Sequence, residues 1–119
     1  RARWRELAEV PEWGEDPVWL HGDLHTANVL VSDGALSAVI DFGDITSGDP
    51  AVDLAIAWML FDAPQRQALR SAAGGIDDAT WSRGQAWALH FAVVYLLNSA
   101  DNPRFQRMGT ELLDTVLSG

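Results

Sequence analysis

The chain has 119 residues, no Lys, eight Arg and seventeen acidic residues, for a formal net charge of −9; 48% of it is hydrophobic. That composition excludes a disordered chain and suits a single domain, residues 1–119, with a real core. The absence of Cys excludes disulfides and thiolate metal sites, and the acidity disfavours nucleic acid while favouring cationic ligands by electrostatic steering.

Residues 1–10 mix charge with apolar residues and predict one or two helical turns; they lack the apolar stretch of a signal peptide. Arg1 is not an initiator residue, so the chain reads as an excised or processed piece. Pro11 to Pro17 predict an acidic loop, and Val18 to Leu20 a short extended entry. Asn28 to Val31 and Leu36 to Phe42 are β-type runs, and Asp33-Gly34 between them signals a hairpin. Asp49 is expected to cap a helix with Pro50 at its first position, running to about Phe61. A second helix is expected from near Pro64 to before Gly74-Gly75. A third should run from Asp77-Asp78 to about Ser99, and a last one from Asn102-Pro103. Ala86 to Leu97 is apolar nearly all round, which predicts the buried helix of the domain, with His90 as a core residue. That run is too short for a membrane span. Trp58, Trp81 and Trp87 are expected in the core, Trp4 and Trp13 at a bare surface.

The chemistry concentrates in His21-Gly22-Asp23-Leu24-His25-Thr26-Ala27-Asn28 and Ile40-Asp41-Phe42-Gly43-Asp44. Phosphoryl transfer requires positioning, a cation to neutralise phosphate oxygens and a carboxylate to orient the attacking hydroxyl. Asp23 suits the carboxylate. Asn28 and Asp41 offer hard oxygen ligands, and a hairpin turning at Asp33-Gly34 brings them to the same end. His25 and Asp44 are candidates for a substrate or second-metal contact; His21 is better explained as a hydrogen-bonded structural residue, and Asp44 equally as a cap.

These residues, with Gly48-Asp49-Pro50-Ala51-Val52-Asp53-Leu54-Ala55, resemble the signature of the aminoglycoside phosphotransferase family, a group of protein-kinase-like small-molecule kinases. The resemblance runs from about Trp19 to Trp58. It implies an α+β, mainly α fold: the helical C-terminal lobe of a protein-kinase-like enzyme, with a small β-hairpin carrying the catalytic motifs. It implies Asp23 as catalytic base, Asn28 and Asp41 as ligands of Mg²⁺ bridging the phosphates of ATP, and His21, Asp49 and Asp53 as supports of the loop. It further implies a cytoplasmic enzyme phosphorylating a hydroxyl of a small molecule, such as a cationic aminoglycoside antibiotic. The family's Gly-rich loop and its phosphate-contacting Lys have no counterpart here, so the N-terminal nucleotide lobe is expected to be absent. Losing one such charged contact costs ~3 kcal/mol, or roughly 10²-fold in rate, so little activity is expected from the chain alone. The alternative reading is a catalytically inactive binding module that self-associates as a homodimer through an uncovered apolar face. No nucleic-acid or membrane partner is expected.

Overall fold

A computed structural model describes residues 2–118. It is mainly helical with two small antiparallel sheets. Helix α1 (Ala2–Ala8) leads through an extended segment to β1 (Val18–Leu20). A loop and a 3-10 turn (Thr26–Asn28) follow, then the hairpin β2 (Val29–Ser32) and β3 (Ala35–Val39). A second 3-10 turn (Phe42–Asp44) leads to β4 (Thr46–Gly48). Then come α2 (Ala51–Leu54), α3 (Ile56–Leu60), α4 (Ala63–Ala73), α5 (Asp78–Leu97) and α6 (Pro103–Ser118).

The hairpin turns where the sequence predicts. Asp33 and Gly34 both have positive φ, 53° and 77°, as a two-residue turn matching strand twist demands. Val29 pairs with Val39 and Leu30 with Ala38; a bulge then shifts Val31 onto Leu36. The Ser37 hydroxyl donates to the Leu30 carbonyl at 3.1 Å, securing the bulge. The sequence reading left out β4, which pairs with β1 in the register Val18–Gly48, Trp19–Ser47 and Leu20–Thr46. An isolated three-residue strand would leave its backbone groups unpaired, and β4 supplies the partner.

The helix expected from Pro50 to Phe61 is interrupted at Ala55, which keeps helical dihedrals. There the ladder tightens, with the Trp58 N–H donating to the Ala55 carbonyl at 3.2 Å. Asp62 and Gln65 form a reciprocal capping box that starts α4. Asp77 caps α5 by accepting from the Thr80 N–H at 2.7 Å.

The core is a helical layer. α5 packs against α6, α2 and α1. Leu7, Ala55, Ala57, Trp58, Ala88, Leu89, Ala92, Leu112 and Val116 form one buried cluster. Trp81 and Trp87 are half-buried against it. Gly109 permits the close crossing of α6 on α5, since a Cβ there would stand 3.1 Å from the Ala92 carbonyl oxygen.

Two expectations are corrected. His90 is exposed, edge-on to Trp87, and is no core residue. Helix α5 is buried along one face only, leaving Val93 and Leu97 exposed. An apolar pattern all round a helix does not specify which flank finds a neighbour. Trp4 is exposed as expected, whereas Trp13 is half-buried beneath the Arg83 guanidinium. No helix among the described residues is long and apolar enough to cross a membrane.

Candidate phosphotransfer site

The loop between β1 and the hairpin is held from three sides. The Asp53 carboxylate, on α2, accepts from the His21 N–H at 2.7 Å and from the Gly22 N–H at 3.1 Å. The His21 ring is buried; Nδ1 accepts from the Asp23 N–H at 3.2 Å, and Nε2 donates to the Ile40 carbonyl at 2.8 Å. One imidazole thus ties the loop to the end of β3, just before Asp41. Gly22 has φ +89°, and a Cβ there would collide with the Asp44 carbonyl oxygen. Only glycine suits that position.

Asn28 is buried at the end of the 3-10 turn. Its Nδ2 donates to the Asp23 carbonyl at 2.8 Å and lies 3.5 Å from the Asp23 carboxylate. That orientation leaves Oδ1 without a hydrogen-bond donor among the described residues. The Ile40 N–H donates to the Asn28 carbonyl at 2.9 Å, so Asp41 is one residue beyond the cross-strand neighbour of Asn28. Asp41 adopts the left-handed conformation, φ 63° and ψ 64°, and its carboxylate makes no capping hydrogen bond. That conformation costs a non-glycine residue roughly 1–2 kcal/mol, which the surrounding turn sustains. Asp23, Asn28 and Asp41 are therefore brought to one end of the hairpin, Asp23 through the Asn28 amide and Asp41 through strand register.

His25, for which the sequence admits a substrate or second-metal contact, is buried with edge-on contacts to Tyr95 and Phe105. Its Nδ1 accepts from the Ala27 N–H at 3.1 Å, and its Nε2 lies 3.3 Å from Asn28 Nδ2 and 3.6 Å from the Asp23 carboxylate. Burial lowers its pKa below 6.5 despite the opposing influence of Asp23 and Asp41, so the ring is neutral at neutral pH. Asp44 is exposed at the end of its turn, its backbone against Gly22. Asp49 does more than cap: besides accepting from the Ala51 N–H at 2.9 Å, it pairs with Arg83 of α5 at 2.7 Å. Arg83 also donates to the Pro11 carbonyl at 2.7 Å, joining α5, α2 and the N-terminal loop. No local pattern in the sequence marks Arg83, or Tyr95 and Phe105 as the residues behind the loop. Only the scarcity of cations could have singled out Arg83.

A family model described as "Phosphotransferase enzyme family" matches residues 1–87, which include the loop, the hairpin, Asp49 and Asp53. The chain belongs to this phosphotransferase family. Aminoglycoside 3'-phosphotransferases of Escherichia coli and Salmonella typhimurium are each 34% identical to it over 55 residues. Those alignments cover 46% of this chain and 20% of each relative. α6 lies outside the matched segment of the family model.

Proposed function

We propose that this chain carries the acceptor-activating and cation-binding half of an ATP-dependent phosphotransferase acting on a hydroxyl of a small molecule. The observation that supports the reading is the hydrogen-bonded triangle of Asp23, Asn28 and the Ile40 backbone, with Asp41 next in sequence to Ile40. In this role Asp23 orients the acceptor hydroxyl and takes its proton. The hydroxyl oxygen forms a bond to the γ-phosphorus of ATP as the bond to the β-phosphate bridging oxygen breaks, leaving ADP.

The donor set fits Mg²⁺. Asn28 Oδ1 and the Asp41 carboxylate are hard oxygens, and among the described residues no group of three or more His, Cys, Asp or Glu forms a self-sufficient metal cage. Mg²⁺ typically takes one or two protein ligands and completes its shell with phosphate and water. When bound it would neutralise charge on the phosphate oxygens. Asp53 and His21 keep the loop in register, and neutral His25 fills the space behind Asp23 without adding a cation.

Trp19, Val31, Leu36, Phe42 and Ile45 are all exposed on the β side, and in this proposal they receive a nucleotide lobe. The competing module reading uses the same face for self-association. A calorimetric titration with Mg·ATP, beside an Asp41→Asn variant, tests the function. Binding that the variant loses supports it. Binding that the variant retains in full contradicts it.

A further inference from the structure

A cavity of about 280 Å³ opens between α3 and α6, and Thr26, from the 3-10 turn that ends in Asn28, forms part of its wall. The cavity therefore reaches the turn that carries Asn28, while Asp23, Asn28 and Asp41 themselves do not line it. Its volume falls just below the range for ligand pockets, roughly 300–1,000 Å³, and suits a small metabolite better than a multi-ring amino sugar.

Its chemistry runs against the charge of the molecule. In a chain of net charge −9, Arg104 and Arg107, one helical turn apart on α6, both line this cavity. Neither guanidinium has a carboxylate within ion-pair distance among the described residues, whereas Arg3, Arg70 and Arg83 are each paired. Trp58 lines the same cavity and is 3% exposed. The Thr26 hydroxyl adds a further polar group, Thr115 donates its own hydroxyl to the Glu111 carbonyl at 2.9 Å, and Glu111 contributes the one carboxylate among the residues lining the wall. Both arginines are exposed, and two guanidiniums without a carboxylate partner at one cavity mouth make an oxyanion the complementary ligand.

We infer that this cavity binds the acceptor, and that the acceptor is a small hydroxyl compound carrying an oxyanion, a carboxylate or a phosphate, rather than a polycationic amino sugar. The inference rests on the phosphotransferase reading for the acceptor's role, but its binding chemistry stands on the cavity alone. Both arginines are on α6, beyond the family-matched segment.

The test is calorimetry on the whole chain with four probes: glycerate, glycerol 3-phosphate, neutral glycerol and the aminoglycoside kanamycin. Glycerate or glycerol 3-phosphate should bind, glycerol and kanamycin should not, and the stronger of the two anions identifies the headgroup. Arg104→Gln with Arg107→Gln should weaken anion binding at least about ten-fold, the loss expected for charge-assisted hydrogen bonds. Glu111→Gln should tighten it, because it removes the one opposing charge. Kanamycin binding that Glu111→Gln weakens would overturn the inference, as would anions binding no better than glycerol. Mg·ATP binding should be unchanged in the double arginine variant; its loss there would assign the arginines to nucleotide phosphates and also overturn the inference. Anion binding without any Mg·ATP binding would leave the cavity's chemistry standing and contradict a preformed nucleotide site in this chain alone.

Discussion

Gly22 holds a backbone conformation that a side chain would not permit. Gly22→Ala should displace the loop from Asp44 and abolish Mg·ATP binding, at a cost of roughly 1–3 kcal/mol in stability for the strained conformation, read by calorimetry and thermal melting. Asp53 acts at the same scale. Its carboxylate takes two backbone N–H groups of the loop, so Asp53→Ala should destabilise the chain by about 2 kcal/mol and loosen the loop, seen as faster amide exchange at His21 and Gly22. Single residues were the most legible feature of this sequence. Asp23, Asn28 and Asp41 could be marked as candidates because their spacing is tied to one hairpin, and Asp53 as a support of the loop because of the family resemblance. His25 could not be placed, because the aromatic residues that bury it, Tyr95 and Phe105, come from distant helices that no local pattern connects to the loop.

Among the elements, the hairpin and the starts of the helices were readable because each is encoded locally: Asp33-Gly34 by positive φ, Asp77 by its cap. Strand β4 and the exposed flank of α5 were not, since both depend on which other element packs alongside. The cap of α5 is sensitive to pH. Hydrogen bonds from the side chain and backbone of Thr80 lower the Asp77 pKa below its ordinary value of 3.8. The stability it contributes is therefore present above that value and is lost as pH falls through the lowered folded pKa. Asp77→Asn keeps an acceptor for the Thr80 N–H and should shallow the acid loss of helicity, measured by circular dichroism. The Arg83–Asp49 pair, 2.7 Å apart and largely shielded from water, joins α5 to the start of α2. Arg83→Gln should cost about 2 kcal/mol by stranding the Asp49 carboxylate, read as a lower denaturant midpoint.

At the scale of the whole molecule, the helices share one core while both sheets present apolar side chains to solvent. Val31 and Leu36 are 63% and 65% exposed, and such a face marks an interaction surface. Replacing both with Thr should reduce binding of a hydrophobic dye while changing stability by only about 0.5 kcal/mol, as expected for exposed positions. The same open face lies next to the end of the hairpin where Asn28 and Asp41 converge, so the account turns on whether those two residues hold a cation together. The most direct measurement is nuclear magnetic resonance of the isotope-labelled chain titrated with Mn·ATP, the paramagnetic cation standing in for Mg²⁺. The account predicts selective broadening of the Asn28 side-chain amide and of the backbone amides from Asp41 to Gly43, abolished by Asp41→Asn. Broadening centred instead on the acidic residues of the helices, such as Asp78, Asp101 or Asp114, and unchanged in that variant, would contradict it.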